Sequence, residues 1–242
     1  MTTRAISAQA RAELVLQMRR GENAIVTLAV PLGVLVFFAK VDAVTTAYAD
    51  PLDFLVPGVL ALSVMASAMV SLGIATGFER RYGVLKRLGS TPLSRGGLLA
   101  AKTATVLALE VVQFVLVVVT GVALGWELRS GVVPALGLLL LGTIAFAGIG
   151  LLMAGTLRAE ANLAASNALF LVLLFLGGMA YPLDDLPGAL EAIAKLLPAA
   201  ALSETVRAVL NSDAFPMGEF AVLVAWAVAA PLLAARAFRW EE

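Results

Sequence analysis

The chain has 242 residues, of which 61% are hydrophobic and only 14% are charged, whereas soluble domains carry about 25% charged residues. So few charged groups cannot cover a water-facing surface, which excludes an ordinary soluble globule and a disordered chain. The 17 basic residues balance the 17 acidic ones, so no net positive charge attracts a nucleic acid.

Cysteine and histidine are both missing from the sequence. Their absence excludes disulfides, thiolate or imidazole metal sites, and Ser–His or Cys–His catalysis. A metal site made of carboxylates alone stays open at this point, but we expect no catalytic residues, no metal and no cofactor bound by this chain. An intramembrane enzyme is a weak alternative, because a serine hydrolase needs a histidine and every aspartate falls outside the apolar runs.

Six charge-poor apolar runs are about long enough to cross the roughly 30 Å core of a bilayer. They predict an all-α membrane protein with one domain of six transmembrane helices, because backbone groups in lipid must be hydrogen-bonded within the segment. The predicted spans are residues 24–41, 54–78, 98–124, 132–157, 161–181 and 219–239. Lys and Arg outside the spans are concentrated on the side of both termini, which predicts cytoplasmic termini.

Residues 1–23, before the first span, carry an amphipathic pattern. Ile6, Ala10, Leu14 and Met18 recur every four residues, with arginines on the other faces. The pattern predicts a helix that lies along the inner surface of the membrane, with its arginines at the anionic headgroups.

The loop after the second span, residues 79–97, reads ERRYGVLKRLGSTPLSRGG. Tyr82, Leu85 and Leu88 recur at three-residue spacing, so a short helix over this stretch would present one apolar face between basic residues. Two interpretations remain open. The basic residues anchor the loop at lipid phosphates, or the apolar face docks a cytosolic partner.

The segment after the fifth span, residues 182–218, also has amphipathic character. Leu186, Leu190, Ile193 and Leu197 share one helical face between two prolines, which predicts a short helix. A second short helix is predicted over residues 202–210. Apolar faces this close to a membrane should enter its outer leaflet or pack on the end of the helix bundle.

Glu110 is the most costly residue of the spans, because it lies near the middle of the third. A charged carboxylate at that depth costs about 2.5–3.5 kcal/mol. Gln113 lies one turn away on the same face, within reach of a hydrogen bond. Glu110 therefore contacts a substrate or carries a proton, or it forms a buried hydrogen bond that holds the helices together. The sequence leaves these readings open.

Small and weakly polar residues mark two further spans. Ser63, Ser67 and Ser71 follow at four-residue steps in the second span, with Met69 beside them and a glycine pair at Gly73 and Gly77. Such spacing is typical of close helix packing, or of a weakly polar wall of a pathway. In the fifth span the polar and aromatic candidates include Asn167 and Phe170.

The loop and the outer segment together resemble the signature of ABC-2 type permeases. The loop residues that carry the resemblance are Glu79, Arg80, Arg81, Gly83, Leu85, Lys86, Arg87, Leu88, Thr91, Pro92, Leu93, Ser94 and Arg95. Those of the outer segment are Pro182, Leu183, Leu186, Pro187, Ile193, Ala194, Pro198, Glu204 and Arg207. Length and six spans fit as well, so the resemblance covers essentially the whole chain.

The resemblance implies the membrane subunit of an ATP-driven exporter in a bacterial plasma membrane, moving an amphiphilic substrate such as a drug-like compound or a lipid. A second permease copy, identical or related, would complete the pathway. ATP and Mg²⁺ would be held by a separate ATP-binding subunit. In agreement, Lys102 and Thr103 follow Ala101, where a P-loop requires glycine.

The implied site residues form two sets. The ATPase-docking set is Glu79, Arg80, Tyr82, Leu85, Arg87 and Leu88. The set for the substrate pathway is Ser63, Ser67, Met69, Glu110, Gln113, Asn167 and Phe170. The alternative function is an ion-coupled secondary carrier that uses Glu110.

Overall fold

The structure, a computed structural model, describes residues 21–41, 50–85, 95–129 and 131–239. Every regular element among them is helical, as expected for an all-α protein. The predicted surface helix over residues 1–23 lies outside the described residues apart from its last three positions. Arg87 and Leu88 of the loop lie outside them too.

The described helices follow the apolar runs of the sequence. They are α1 (Gly21–Val41), α2 (Pro51–Arg81), α3 (Arg95–Ala123), α4 (Val132–Thr156), α5 (Ala159–Leu176), α6 (Gly188–Ala194), α7 (Pro198–Asn211) and α8 (Met217–Ala237). Five of them, α2, α3, α4, α5 and α8, are long and apolar enough to cross a membrane. In α1 the structure describes side chains from Ala29 onward, and this described part, Ala29–Val41, is apolar.

The helix ends lie within five residues of the sequence-based boundaries, and two of the differences have a structural cause. We predicted that the second span ends at residue 78, but α2 continues to Arg81 because its last charged residues have partners on neighbouring helices. The fifth span was predicted to reach residue 181, whereas α5 ends at Leu176. The chain turns there at Gly177 and Gly178, and Gly178 has a φ of 63°, which favours glycine.

α2 is the central helix of the bundle. Of its most apolar 18-residue window, 83% is buried, against 22% for α5 and for α8. Its middle turns, Met65–Ser71, are π-helical, a local widening that often occurs at functional sites. A Cβ added at Gly150 of α4 would lie 2.5 Å from the carbonyl oxygen of Met69. The glycine therefore lets the two backbones meet at the π-helical turns.

The segment between α5 and α8 covers one end of the bundle. α7 packs against α2, α4 and α8, and its Ala199, Ala200 and Ala201 are fully buried. By contrast, Leu190 and Ile193 of α6 are exposed. The segment thus combines one helix packed on the bundle with a short helix whose apolar side chains face outward.

Candidate functional site

α2, α3 and α4 enclose a cavity of about 250 Å³, which we call the Glu110 cavity. Its walls are mainly leucine, valine and phenylalanine side chains. The polar residues of the lining are Ser63, Glu110 and Gln113. The cavity reaches the surface of the bundle, since Val111, Leu136 and Leu140 of its lining are exposed.

The Glu110 carboxylate joins three helices by hydrogen bonds. The Ser67 hydroxyl of α2 donates to one carboxylate oxygen at 2.7 Å, and the Thr143 hydroxyl of α4 donates to the other. Only 8% of Glu110 is exposed. By helical rise the residue lies roughly 20 Å from either end of α3. Two neutral donors therefore satisfy a buried carboxylate near the middle of a span.

Both hydroxyls have a second acceptor within reach. The Ser67 hydroxyl lies 2.9 Å from the carbonyl oxygen of Ser63, and the Thr143 hydroxyl lies 2.9 Å from that of Leu139. Each hydroxyl has one hydrogen, so it can point to the carboxylate or to the backbone one turn back. The arrangement can respond to the charge and occupancy of the cavity without moving a helix.

At the far end of α2, three consecutive side chains reach three different helices. We call them the 79–81 cluster. The Lys102 ammonium of α3 donates to the Glu79 carboxylate at 2.6 Å. The Arg80 guanidinium donates to the carbonyl oxygen of Leu157 at the end of α4, at 2.7 Å, and Arg81 pairs with Glu160 of α5. Consecutive residues of a helix point about 100° apart, so a central helix can contact neighbours on all sides.

The ion pair of Lys102 with Glu79 is more buried than that of Arg81 with Glu160. Lys102 has 2% of its side chain exposed and Glu79 has 33%. A buried ammonium group needs a hydrogen-bonded anion to offset the loss of water. Arg80 is also buried, and its bond to a carbonyl at a helix C-terminus is favoured by the helix dipole.

The opposite end of α2 holds the chain that follows α3. The Asp53 carboxylate is buried and accepts hydrogen bonds from the Trp126 indole at 3.1 Å and from Arg129 at 3.0 Å. Asn211 of α7 donates to the backbone oxygen of Asp53 at 3.0 Å. One acidic residue at the start of α2 thus fixes both the loop and α7.

Arg207 of α7 makes a second connection at this end. Its guanidinium lies 4.2 Å from the centre of the Phe54 ring, donates to the carbonyl oxygen of Gly178 at 2.6 Å and pairs with Glu204. Nearby, the hydrogen bond that Lys195 donates to Glu191 raises the pKa of its ammonium group. These contacts hold the covering segment in one arrangement.

The sequence matches the ABC-2 type transporter family over residues 4–211. The chain belongs to that family. Together with its apolar helices, this makes the chain a multi-pass membrane protein.

Two curated relatives are similar to this chain. Over 169 residues it is 27% identical to the probable multidrug ABC transporter permease YbhS of Escherichia coli strain K12 and to that of Escherichia coli O157:H7. The aligned region covers 68% of this chain but 44% of each relative. The chain therefore spans less than half the length of these relatives.

Of the predicted pathway residues in this ABC-2 chain, the structure brings four together. Ser63, Glu110 and Gln113 line the Glu110 cavity, and Ser67 donates to the carboxylate. The other three lie elsewhere. Met69 is buried at the contact of α2 with α4, Asn167 is exposed on α5, and Phe170 is half-buried.

The predicted docking residues differ in how deeply their side chains are buried. Tyr82 is 70% exposed and stacks on Phe78. Leu85 is fully buried, and Glu79 and Arg80 are bound to neighbouring helices as part of the 79–81 cluster. Of the described docking residues, Tyr82 is the one whose side chain is available to a partner.

The sequence analysis missed Thr143 as the second donor to Glu110. Its signal was a threonine in the middle of the apolar fourth span, which we did not connect with Glu110 because the two are 33 residues apart. It also missed that Lys102 pairs with Glu79. The signal there was a lysine inside an apolar run, which needs a nearby acid.

Proposed function

We propose that this chain is the transmembrane permease subunit of an ATP-binding cassette exporter that moves an amphiphilic compound outward. A separate ATP-binding subunit supplies ATP and Mg²⁺, and a second permease copy, identical or related, completes the pathway. The chain has six spans, with α1 as the first, and both termini face the cytoplasm of a bacterial cell. The relatives are named as probable multidrug permeases, which supports this substrate class.

The 79–81 cluster is the observation that carries the proposal. It lies directly before the loop that resembles the coupling element of the family, and it ties α2 to α3, α4 and α5. A force applied to the loop therefore reaches four spans through short polar contacts. Rigid helices can pass such a movement to the Glu110 cavity, which α2, α3 and α4 share.

Tyr82→Ala tests the docking part of this proposal. We expect the ATP-binding subunit to bind the Tyr82→Ala chain about tenfold or more weakly, because exposed aromatic anchors often dominate interface energy. Biolayer interferometry in detergent, with the permease immobilised, measures the dissociation constant of the ATP-binding subunit for each chain.

Tyr181→Ala is the matched control, because Tyr181 is also exposed but follows α5 at the opposite end of the bundle. It should leave the affinity unchanged. Equal affinity of the Tyr82→Ala and wild-type chains would remove Tyr82 from the docking surface.

Single cysteines test the proposed topology, since the chain has no cysteine of its own. We expect Gly188→Cys, at the start of α6, to react with an impermeant maleimide in intact cells. Arg158→Cys, exposed between α4 and α5, should react only after the cells are permeabilised. Labelling of Arg158→Cys in intact cells would contradict the six-span arrangement.

Asn167 supports the proposed second permease copy. Its amide is exposed at the ninth of the 18 positions of α5, so it would face the middle of the bilayer. A polar amide in hydrocarbon is costly unless it is hydrogen-bonded. A second copy, or a water-filled pathway between two copies, would provide that partner.

An ion-coupled secondary carrier is the alternative function. It is favoured by Glu110, a carboxylate near the middle of a span beside the π-helical turns of α2, because such carriers bind ions at irregular helices near the midplane. A carrier would move its substrate without an ATP-binding subunit.

A further inference from the structure

We propose that the Glu110 cavity binds a lipophilic organic ammonium ion, with the Glu110 carboxylate as the partner of the ammonium group. The inference deepens the proposed function by naming a substrate class, and its biological meaning rests on that function. The binding site itself depends only on α2, α3 and α4 of this chain.

The charge of the cavity is the first argument. Glu110 is the one charged residue among the described residues that line it. Both hydrogen-bond donors to its carboxylate are neutral hydroxyls. Lys102 lies about 12 Å away by helical rise and is engaged by Glu79. An ammonium ion in the cavity would therefore favour the ionised form of Glu110, a role that no cationic residue of the lining fills.

The lining favours an organic cation over a metal ion. Ca²⁺ and Mg²⁺ require about six or more oxygen ligands. This cavity offers one carboxylate, the Ser63 hydroxyl and the Gln113 amide, and its other walls are apolar. An ammonium group can be held by one carboxylate, while leucine and phenylalanine side chains such as Leu107 and Phe114 pack against its hydrocarbon body.

Size and access limit the ligand further. An apolar cavity of ~150 Å³ accommodates benzene, so about 250 Å³ suits a compact polycyclic amine. The mouth lies at exposed Val111, Leu136 and Leu140, on a surface of the spans, so a ligand can enter from the lipid. The depth of Glu110, roughly 20 Å from either end of α3, keeps the site away from the amines of lipid headgroups.

The test compares two probes of nearly equal shape, 1-adamantylamine and 1-adamantanol. Their binding to the full chain in phosphatidylcholine nanodiscs, without ATP or a partner subunit, is measured by isothermal titration calorimetry. We expect the amine to bind about 10- to 100-fold more tightly, which corresponds to one charge-assisted hydrogen bond. Adding phosphatidylethanolamine should leave the affinity unchanged, and competition by that aminolipid would overturn the assignment to a free amine.

Four variants test whether the probes bind in the Glu110 cavity and whether Glu110 causes the preference for the amine. Glu110→Gln keeps the size of the side chain and should abolish the preference for the amine, whereas Glu127→Gln, in the exposed loop after α3, should retain it. Leu140→Trp fills the cavity and should lower the affinity for both probes at least tenfold. Leu233→Trp, on the exposed face of α8, should leave both affinities unchanged.

The outcomes separate this inference from the proposed function. Equal affinity for the two probes, or a preference for the amine that survives Glu110→Gln, would overturn the ammonium site. Neither result would affect ATP-dependent transport, which is measured separately with the partner subunit. Unchanged thermal unfolding midpoints of the variants confirm that each remains folded.

Discussion

Replacing Glu79 with Ala is expected to lower the free energy of unfolding by about 3–5 kcal/mol, the usual effect of breaking a buried ion pair. The substitution leaves the Lys102 ammonium, with 2% of its side chain exposed, without this carboxylate. Lys102→Met should cost much less, about 1 kcal/mol, because Glu79 is one-third exposed and can be hydrated when its partner is lost. Denaturant unfolding in micelles, followed by tryptophan fluorescence, gives both values.

The double variant is the internal control for this pair. Glu79→Ala combined with Lys102→Met should be about as stable as Lys102→Met alone, because the buried ammonium group is no longer present. If Glu79→Ala proves as stable as the wild type, the ion pair does not hold α2 to α3. The same variants report on coupling, because loss of this contact should lower transport more than it lowers ATP hydrolysis.

A second large effect is expected when both donors to Glu110 are removed. Ser67→Ala together with Thr143→Val should destabilise the chain by at least about 3 kcal/mol, because a buried carboxylate then loses both its hydrogen bonds. Removing the acceptor should cost far less. In Glu110→Ala each hydroxyl can turn to the backbone carbonyl one turn back, at 2.9 Å for both.

Adding Glu110→Gln to the double variant provides the control. The amide is neutral, so the triple variant should regain most of the lost stability. The same unfolding assay measures it. A triple variant as unstable as the double variant would mean that lost packing, rather than an unsatisfied carboxylate, explains the effect.

The spans could be predicted from the sequence because the cost of charge in lipid leaves a clear pattern of apolar runs. The predicted end of the second span fails because tertiary contacts compensate charges. α2 extends through Glu79, Arg80 and Arg81, because each finds a partner on another helix. No local pattern contains those partners, since Lys102, Leu157 and Glu160 are 23 to 79 residues away.

The candidate site was predictable in part for the same reason. Glu110 stands out in an apolar run, and Ser67 belongs to a periodic small-residue face, so both were identified from cost and spacing. That the two meet depends on the packing of α2 against α3. The role of Thr143 depends on α4, and the π-helical turns that carry Ser67 have no sequence signature of their own.

The 79–81 cluster and the Glu110 cavity lie on the same central helix, which suggests how a distant energy source could act on a substrate. Movement at the end of α2 would shift the wall that Ser63 and Ser67 contribute to the cavity. Because each hydroxyl has two acceptors, the hydrogen bonds to Glu110 can change without breaking the bundle. Such a site can alternate between two arrangements at small cost when a bound ligand replaces the hydroxyls as the partner of the carboxylate.

ATP-driven transport tests the central claim most directly. Proteoliposomes that contain this chain and its ATP-binding subunit are loaded with ATP or with a non-hydrolysable analogue, and the movement of a fluorescent amphiphile is followed. The account predicts transport with ATP alone, its loss when the partner's hydrolysis is blocked, and no effect of a protonophore. Transport driven by an imposed ion gradient, in vesicles without the ATP-binding subunit, would contradict it.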